Sequence, residues 1–224
     1  VSISKRLSMY VLRAKVEITC SPEDVDYFLV DESDIKKLSN NFSSIPQSKM
    51  QSTVNHNKSV SVTLLDGPKS YYFIYGYKKE ISKLHDKIYS TQDNPCNWNE
   101  VHIDNIIPNI FNETQDLYIP QSVNLDLIGA VNFKKGCYTG QEVVARTHYL
   151  GKPKRRMYLG SVNADNNLEL GSDIKVGEEK IGSLVNYYKQ KNHIFKVLVE
   201  LRIEKLDARP TLDGNEILSL EMQY

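Results

Sequence analysis

The chain has 224 residues, 40% of them hydrophobic, and Lys plus Arg and Asp plus Glu both total 28, so the formal net charge is zero. That is enough material for one good core, or for a main core and a smaller second one, while the balanced charge excludes a whole-molecule field that would recruit nucleic acid. No apolar run approaches the roughly 20 residues of a spanning helix, and the N-terminal Val-Ser-Ile-Ser-Lys-Arg lacks the apolar core of a signal peptide.

Leu12, Ala14, Val16 and Ile18 alternate with polar residues, the period of a half-buried strand. Ser21-Pro22 reads as a helix start, yet Tyr27-Phe28-Leu29-Val30 reads as a short buried strand, and the strand is favoured. Ile35, Leu38 and Phe42 share one stripe of a helix over 34–42, and the polar stretch 43–58 reads mostly as loop. Val60, Val62 and Leu64, the turn Asp66-Gly67-Pro68 and the run Tyr71–Tyr75 form a hairpin. Ile81, Leu84 and Ile88 mark a helix over 79–89, and Val101–Ile103 a further strand, completing a ferredoxin-like split β-α-β order. Gly151-Lys152-Pro153 looks like a boundary, giving regions 1–152 and 153–224. Beyond it, short strand-like runs separated by turns such as Asp213-Gly214-Asn215 indicate a small antiparallel barrel.

The run Lys134-Lys135-Gly136-Cys137-Tyr138-Thr139-Gly140-Gln141-Glu142 carries the chemistry. Thr139 and Glu142 stand in capping-box relation, so a helix is expected to begin at Gly140. Cys137 would then lie where unpaired amides, the helix dipole and two lysines favour a thiolate. A tight turn with a small buried cysteine explains the same residues, and physics alone weighs the two evenly. From Phe133 to Arg156 there are seven basic residues, among them Arg146, Lys152, Lys154, Arg155 and Arg156, against the single acid Glu142. A solvated face is the default for such a run, and an anionic ligand tail or an RNA backbone also suits it. Three cysteines without C-x-x-C spacing argue against a disulfide framework or closed zinc site and for a reducing compartment, and five histidines without an H-x-x-x-H pair make a metal site unexpected.

The stretch Phe133–Arg146, together with Tyr118-Ile119-Pro120-Gln121, Asn124-Leu125 and the single Trp98 set 39 positions before Cys137, resembles the YgfZ-type folate-binding proteins, a branch related to the glycine-cleavage aminomethyltransferases. The likeness covers nearly the whole chain. It implies an α+β, aminomethyltransferase-like folate-binding module followed by the C-terminal β-barrel, with an N-terminal portion of the family missing here. It further implies a cytoplasmic protein that binds tetrahydrofolate and assists iron–sulfur enzymes, including those that modify tRNA, with tRNA itself a further candidate partner. Carried over by position, Trp98, Asp104, Tyr118 and Gln121 are the expected folate contacts, Cys137 is the reactive thiol, and Lys135, Gly136, Tyr138, Gly140, Gln141 and Glu142 complete the motif. An aminomethyltransferase of the glycine-cleavage type and a tRNA-binding module without catalysis stand as alternatives. The second lacks, in the sequence, the interleaved aromatic platform of a single-strand binder.

Overall fold

The computed structural model describes residues 2–11, 15–18, 23–89, 96–136, 140–190 and 192–222. The chain forms two compact units, residues 1–66 with 70–96, and residues 67–69 with 97–224.

The first unit opens with α1 (Ser2–Ser8) and is built on β1 (Val25–Asp31), β2 (Ser52–Val54), β3 (Val60–Leu64) and β4 (Tyr71–Tyr77), an antiparallel sheet in the order β1-β4-β3-β2. Asp31 ends β1 and starts α2 (Glu32–Ile35), because its carboxylate accepts the backbone N–H groups of Ser33 and Asp34. A 3₁₀ turn over Lys36–Asn41 continues it, and α3 (Lys78–Ile88) follows β4 directly. The period-two pattern sends Phe28, Val30, Val62, Tyr72 and Ile74 to the face where Ile35, Leu38, Phe42, Ile81, Leu84 and Ile88 close the core. Each such side chain stabilises the unit by about 1.5–3 kcal/mol through burial. The opposite face carries aromatic rings: Phe73 stacks on Tyr75 with centroids 5.0 Å apart, and Tyr27 lies 5.6 Å from Phe73.

Three expectations change here. The stretch 43–58 contains β2, which extends the hairpin through a bridge-ended turn at Asn55–Ser59. Of the strand expected over 12–18, residues 15–18 are irregular and 12–14 lie outside the described residues, as do Ser21 and Pro22. Val101–Ile103 is helical. Its two β-branched residues suggest a strand, but Asn97 caps α4 (Trp98–Asp104) by accepting the N–H of Glu100 at 2.9 Å, and local capping decides the conformation. On that edge of the sheet β1 meets only a single bridge, Leu29 to Cys96, so the split β-α-β frame is not completed among the described residues.

The second unit holds α4, α5 (Gln141–Leu150) and seven antiparallel strands, β5 (Arg155–Asn163), β6 (Asp173–Val176), β7 (Glu179–Lys189), β8 (Ile194–Arg202), β9 (Thr211–Leu212), β10 (Asn215–Glu216) and β11 (Leu218–Glu221). Their order is β10-β9-β6-β7-β8-β5-β11. The two edge strands β10 and β11 are separated by Ile217 alone, so the sheet curls nearly shut into a barrel-like form. Asp213 and Gly214, both at positive φ, make the β9–β10 turn. The barrel interior is packed by Tyr158, Ile174, Ile181, Leu184, Phe195, Val197, Val199 and Leu201. The other face of the same strands presents Met157, Val185 and Leu198 to Ile103, Ile106 and Val123. The segment from Asn97 therefore packs with the strands that follow Pro153, and compactness changes near Cys96 rather than at 152/153. The architecture is α+β with antiparallel sheets, the second of them barrel-like.

Candidate functional site

A cavity of about 580 Å³ opens in the second unit and is lined by residues from well-separated stretches of sequence. Leu117, Tyr118, Ile119 and Ser122 come from the loop before and within a 3₁₀ turn over Pro120–Val123, Thr147 from α5, Lys152–Arg155 from the lead into β5, and Lys180, Gly182, Ser183 and Glu200 from β7 and β8. Glu200, 5% exposed, lies at the floor with Ser122 and Ser183. Its Oε2 accepts from Arg155 Nη1 at 2.7 Å, and the same guanidinium nitrogen donates to the Ile181 carbonyl at 3.1 Å. Burial pushes the Glu200 carboxyl up from its ordinary range, and the Arg155 charge and hydrogen bonds from Arg155 and Ser122 oppose it. The Tyr118 hydroxyl sits 3.1 Å from Ser183 Oγ and 3.3 Å from the Leu184 carbonyl, and burial raises its pKa above the usual phenol value. Lys152 and Lys154 are exposed at the mouth, and Lys180 pairs with Asp173 at 2.5 Å.

The local sequence explains why Tyr118 is held there. Pro120 opens the 3₁₀ turn, and Asn124 ends it in the left-handed region at φ 62, a conformation asparagine tolerates. Asn124 Nδ2 donates to the Met157 carbonyl at 2.8 Å and its Oδ1 accepts the Met157 N–H at 3.3 Å, so one buried side chain pairs with β5 where β11 does not reach. Gln121, fully buried, donates from Nε2 to the Val144 carbonyl of α5 at 2.6 Å, which fixes that helix beside the cavity; its Oε1 has no partner among the described residues. Arg156 faces inward, bound through both nitrogens to Asp126 at 2.6 and 3.0 Å and to the Gln121 carbonyl. Of the expected anion patch, then, Arg156 and Arg155 are committed to acids, while Arg146, Lys152 and Lys154 are exposed.

Around the motif, Phe133 stacks on His148 of α5 with centroids 3.7 Å apart, tying the loop to the helix. Lys135 and Gly136 are exposed, and nothing among the described residues lies within 4 Å of a Cβ placed on Gly136, so no close approach explains that glycine. Cys137, Tyr138 and Thr139 lie outside the described residues. α5 begins at Gln141, and the capping position is Gly140 at φ 87 with no side-chain cap; the frame differs by one residue from a threonine-capped start because glycine enters the left-handed region freely. Glu142 is exposed on the first turn.

Trp98 and Asp104 are on α4 and do not line the cavity. Trp98 is half-buried and tilts against His102 at 5.3 Å. Asp104, 3% exposed, is ion-paired through one oxygen to Lys69 and through the other to Lys196, with the Tyr188 hydroxyl 3.4 Å from the latter oxygen. Burial and the Asp104 charge push the Tyr188 phenol up to about 12. The expected folate contacts are thus divided: Tyr118 joins Lys152, Lys154 and Arg155 at the cavity, Gln121 supports it from behind, and Trp98 and Asp104 lie elsewhere on the unit. The sequence did not point to Glu200, although an acid inside the apolar run Ile194–Ile203 is a signal of a buried, paired charge. Among the described residues no group of three or more His, Cys, Asp or Glu is placed to hold a metal, and no helix is long and apolar enough to cross a membrane.

No protein-family model matches the chain. Curated proteins do. "tRNA-modifying protein YgfZ" of Colwellia psychrerythraea is 32% identical over 154 residues, which is 69% of this chain and 47% of that protein. The proteins of the same name from Shigella boydii serotype 4 and Escherichia coli K12 are 32% identical over 178 residues, 77% of this chain and 53% of theirs. The chain spans about half the length of these relatives. On identity sustained over about three quarters of its own length, it belongs to the YgfZ-type family.

Proposed function

We propose that the chain is the tetrahydrofolate-binding part of a cytoplasmic protein that supports tRNA modification by assisting iron–sulfur enzymes, with Cys137 as its reactive thiol. The observation that carries this reading is the cavity. It joins an aromatic wall at Tyr118 and a row of hydroxyls to the cations Lys152, Lys154 and Arg155, and its volume falls in the usual range for small-molecule sites. A folate offers a flat, hydrogen-bonding head and carboxylates on a tail, which complement those two kinds of lining. In the sequence Cys137 stands between Lys134–Lys135 and the residues that open α5, and the thiolate assigned to it rests on that order, since nearby amide donors and positive charge lower a thiol pKa.

The test is a titration of the full-length protein with tetrahydrofolate and its methylene form. Binding that weakens several-fold in Tyr118→Ala, without glycine-cleavage activity, is the expected result. Turnover of an aminomethyl donor would instead favour the aminomethyltransferase reading, and absence of binding would end the folate reading. Cys137→Ser should keep the folate affinity and fail to restore iron–sulfur enzyme activity in cells lacking the protein.

One observation favours the tRNA-binding reading as well. The platform not recognised in the sequence exists on the first unit's sheet, where Tyr27, Tyr75 and Tyr77 are 50%, 43% and 61% exposed beside Phe73. Rings so displayed can stack on unpaired bases. Retention of tRNA by the full-length protein and its loss in Tyr27→Ala/Tyr75→Ala would support it.

A further inference from the structure

The cavity is polarised between its floor and its mouth. Glu200, Ser122 and Ser183 are buried at the floor, whereas Lys152 and Lys154 stand exposed at the rim. The floor carries no surplus charge, because the Glu200 carboxylate and the Arg155 guanidinium cancel across a 2.7 Å contact. A carboxylate can accept about four hydrogen bonds, and those from Arg155 and Ser122 leave acceptor capacity facing the cavity. A negatively charged group brought to the floor would meet that carboxylate, and the cations beside it are already ion-paired, Arg155 with Glu200 itself and Lys180 with Asp173. The rim is the opposite case: neither Lys152 nor Lys154 has an ion-pair partner among the described residues.

We infer that the cavity reads its ligand at two ends: Glu200 accepts N–H or O–H donors of a neutral flat head, while Lys152 and Lys154 read a tail bearing several negative charges. The ligand class that follows is a conjugate with a donor-edged heterocycle and a polycarboxylate tail, so among folates the forms with added glutamates are selected. This rests on the reading of the cavity as the folate site. Glu200 is a specificity-determining residue for the head, and the two lysines for the tail. Each added carboxylate near an exposed lysine contributes only modestly, so the preference is expected to reach about tenfold at low salt and to fade as salt rises.

The experiment compares tetrahydrofolate with one and with three glutamates on the full-length protein, by calorimetric titration at low and high salt. The expected result is tighter binding of the triglutamate form by about tenfold. That preference should vanish in Lys152→Gln/Lys154→Gln, with the triglutamate form losing more affinity than the monoglutamate form, whose own two tail carboxylates also meet the rim. Glu200→Gln should weaken both forms alike, by about tenfold, as loss of a charge-assisted acceptor requires. Equal affinities for the two forms, or a preference that survives the double lysine variant, would overturn the inference and leave folate binding standing. Absence of binding of either form would remove the folate reading itself. Glu200→Gln keeps an amide oxygen for Arg155, which also donates to the Ile181 carbonyl, so this variant is expected to fold; the rim variants change exposed side chains and decide the matter on their own.

Discussion

The second unit buries two carboxylates, and they are used in opposite ways. Asp104 has an ammonium group on each oxygen, Lys69 on one and Lys196 on the other, and a tyrosine hydroxyl beside them. Glu200 has a single guanidinium on one oxygen and faces a cavity. A buried charge must be paired, but the number of partners decides what it can still do. Asp104 is saturated by the chain itself, and its reach to the N–H groups of a pterin would compete with two lysines. Glu200 keeps acceptor capacity for something else. Matching by position selected the first acid, and the structure draws attention to the second.

The largest expected effect comes from breaking the saturated site. Asp104→Asn leaves Lys69 and Lys196 close together without an anion between them. Removing one partner of a fully buried pair costs about 3–5 kcal/mol, and because the Lys69 side chain is half exposed we expect about 2–3 kcal/mol here. Urea midpoints for the second unit's transition would measure it, and high salt should recover part of the loss. If Asp104→Asn instead abolished folate binding with stability unchanged, the roles given to the two acids would be reversed.

Next in size is the support that holds Tyr118 at the cavity. Asn124→Ala removes both hydrogen bonds to the Met157 backbone and leaves a buried N–H and C=O unpaired, for about 2 kcal/mol or more. Asn124→Gly retains the left-handed conformation but not the bonds, so the difference between the two variants isolates the backbone strain. Denaturation of both, with folate titration in parallel, would show whether the Tyr118 loop loses its place before the unit loses its fold.

How much of this was legible follows the range of the interactions. The hairpin of β3 and β4, α3 and most barrel strands were readable because their periodicity is local and their apolar faces are clean. α4 was misread because its β-branched residues outweighed the Asn97 cap, and β9 and β10 were missed because two-residue strands exist only by virtue of their partners. The site was legible in its parts and not in its grouping. Tyr118 and the Lys152–Arg155 run were marked, but Glu200 lies 82 positions after Tyr118, and only barrel closure brings β7 and β8 beside the Pro120 turn. The difference between Arg155 and Arg156 is likewise tertiary: alternation along β5 sends one to the cavity and the other to Asp126.

The smallest effect separates the two acids most sharply, because it is read in the pH dependence rather than the size of the stability change. Burial raises the Glu200 carboxyl above its ordinary value, so the folded unit holds that proton more tightly than the unfolded chain does. The corresponding stabilisation is fully present below the unfolded value of 4.5 and is lost as pH rises through the higher folded value. At neutral pH the charged Glu200 is therefore a small burden that its contact with Arg155 largely offsets, and Glu200→Gln should change stability by no more than about 1 kcal/mol. As pH is lowered from about 7 towards 4.5, the wild type should gain on the glutamine variant, since only the wild type can take up the proton. Urea midpoints of the two proteins at three pH values across that window would show the gap moving in the wild type's favour. A gap that stayed constant, or moved against the wild type, would mean that Arg155 and Ser122 hold Glu200 as firmly charged in the fold as in the unfolded chain, and that its acceptor capacity is already spent.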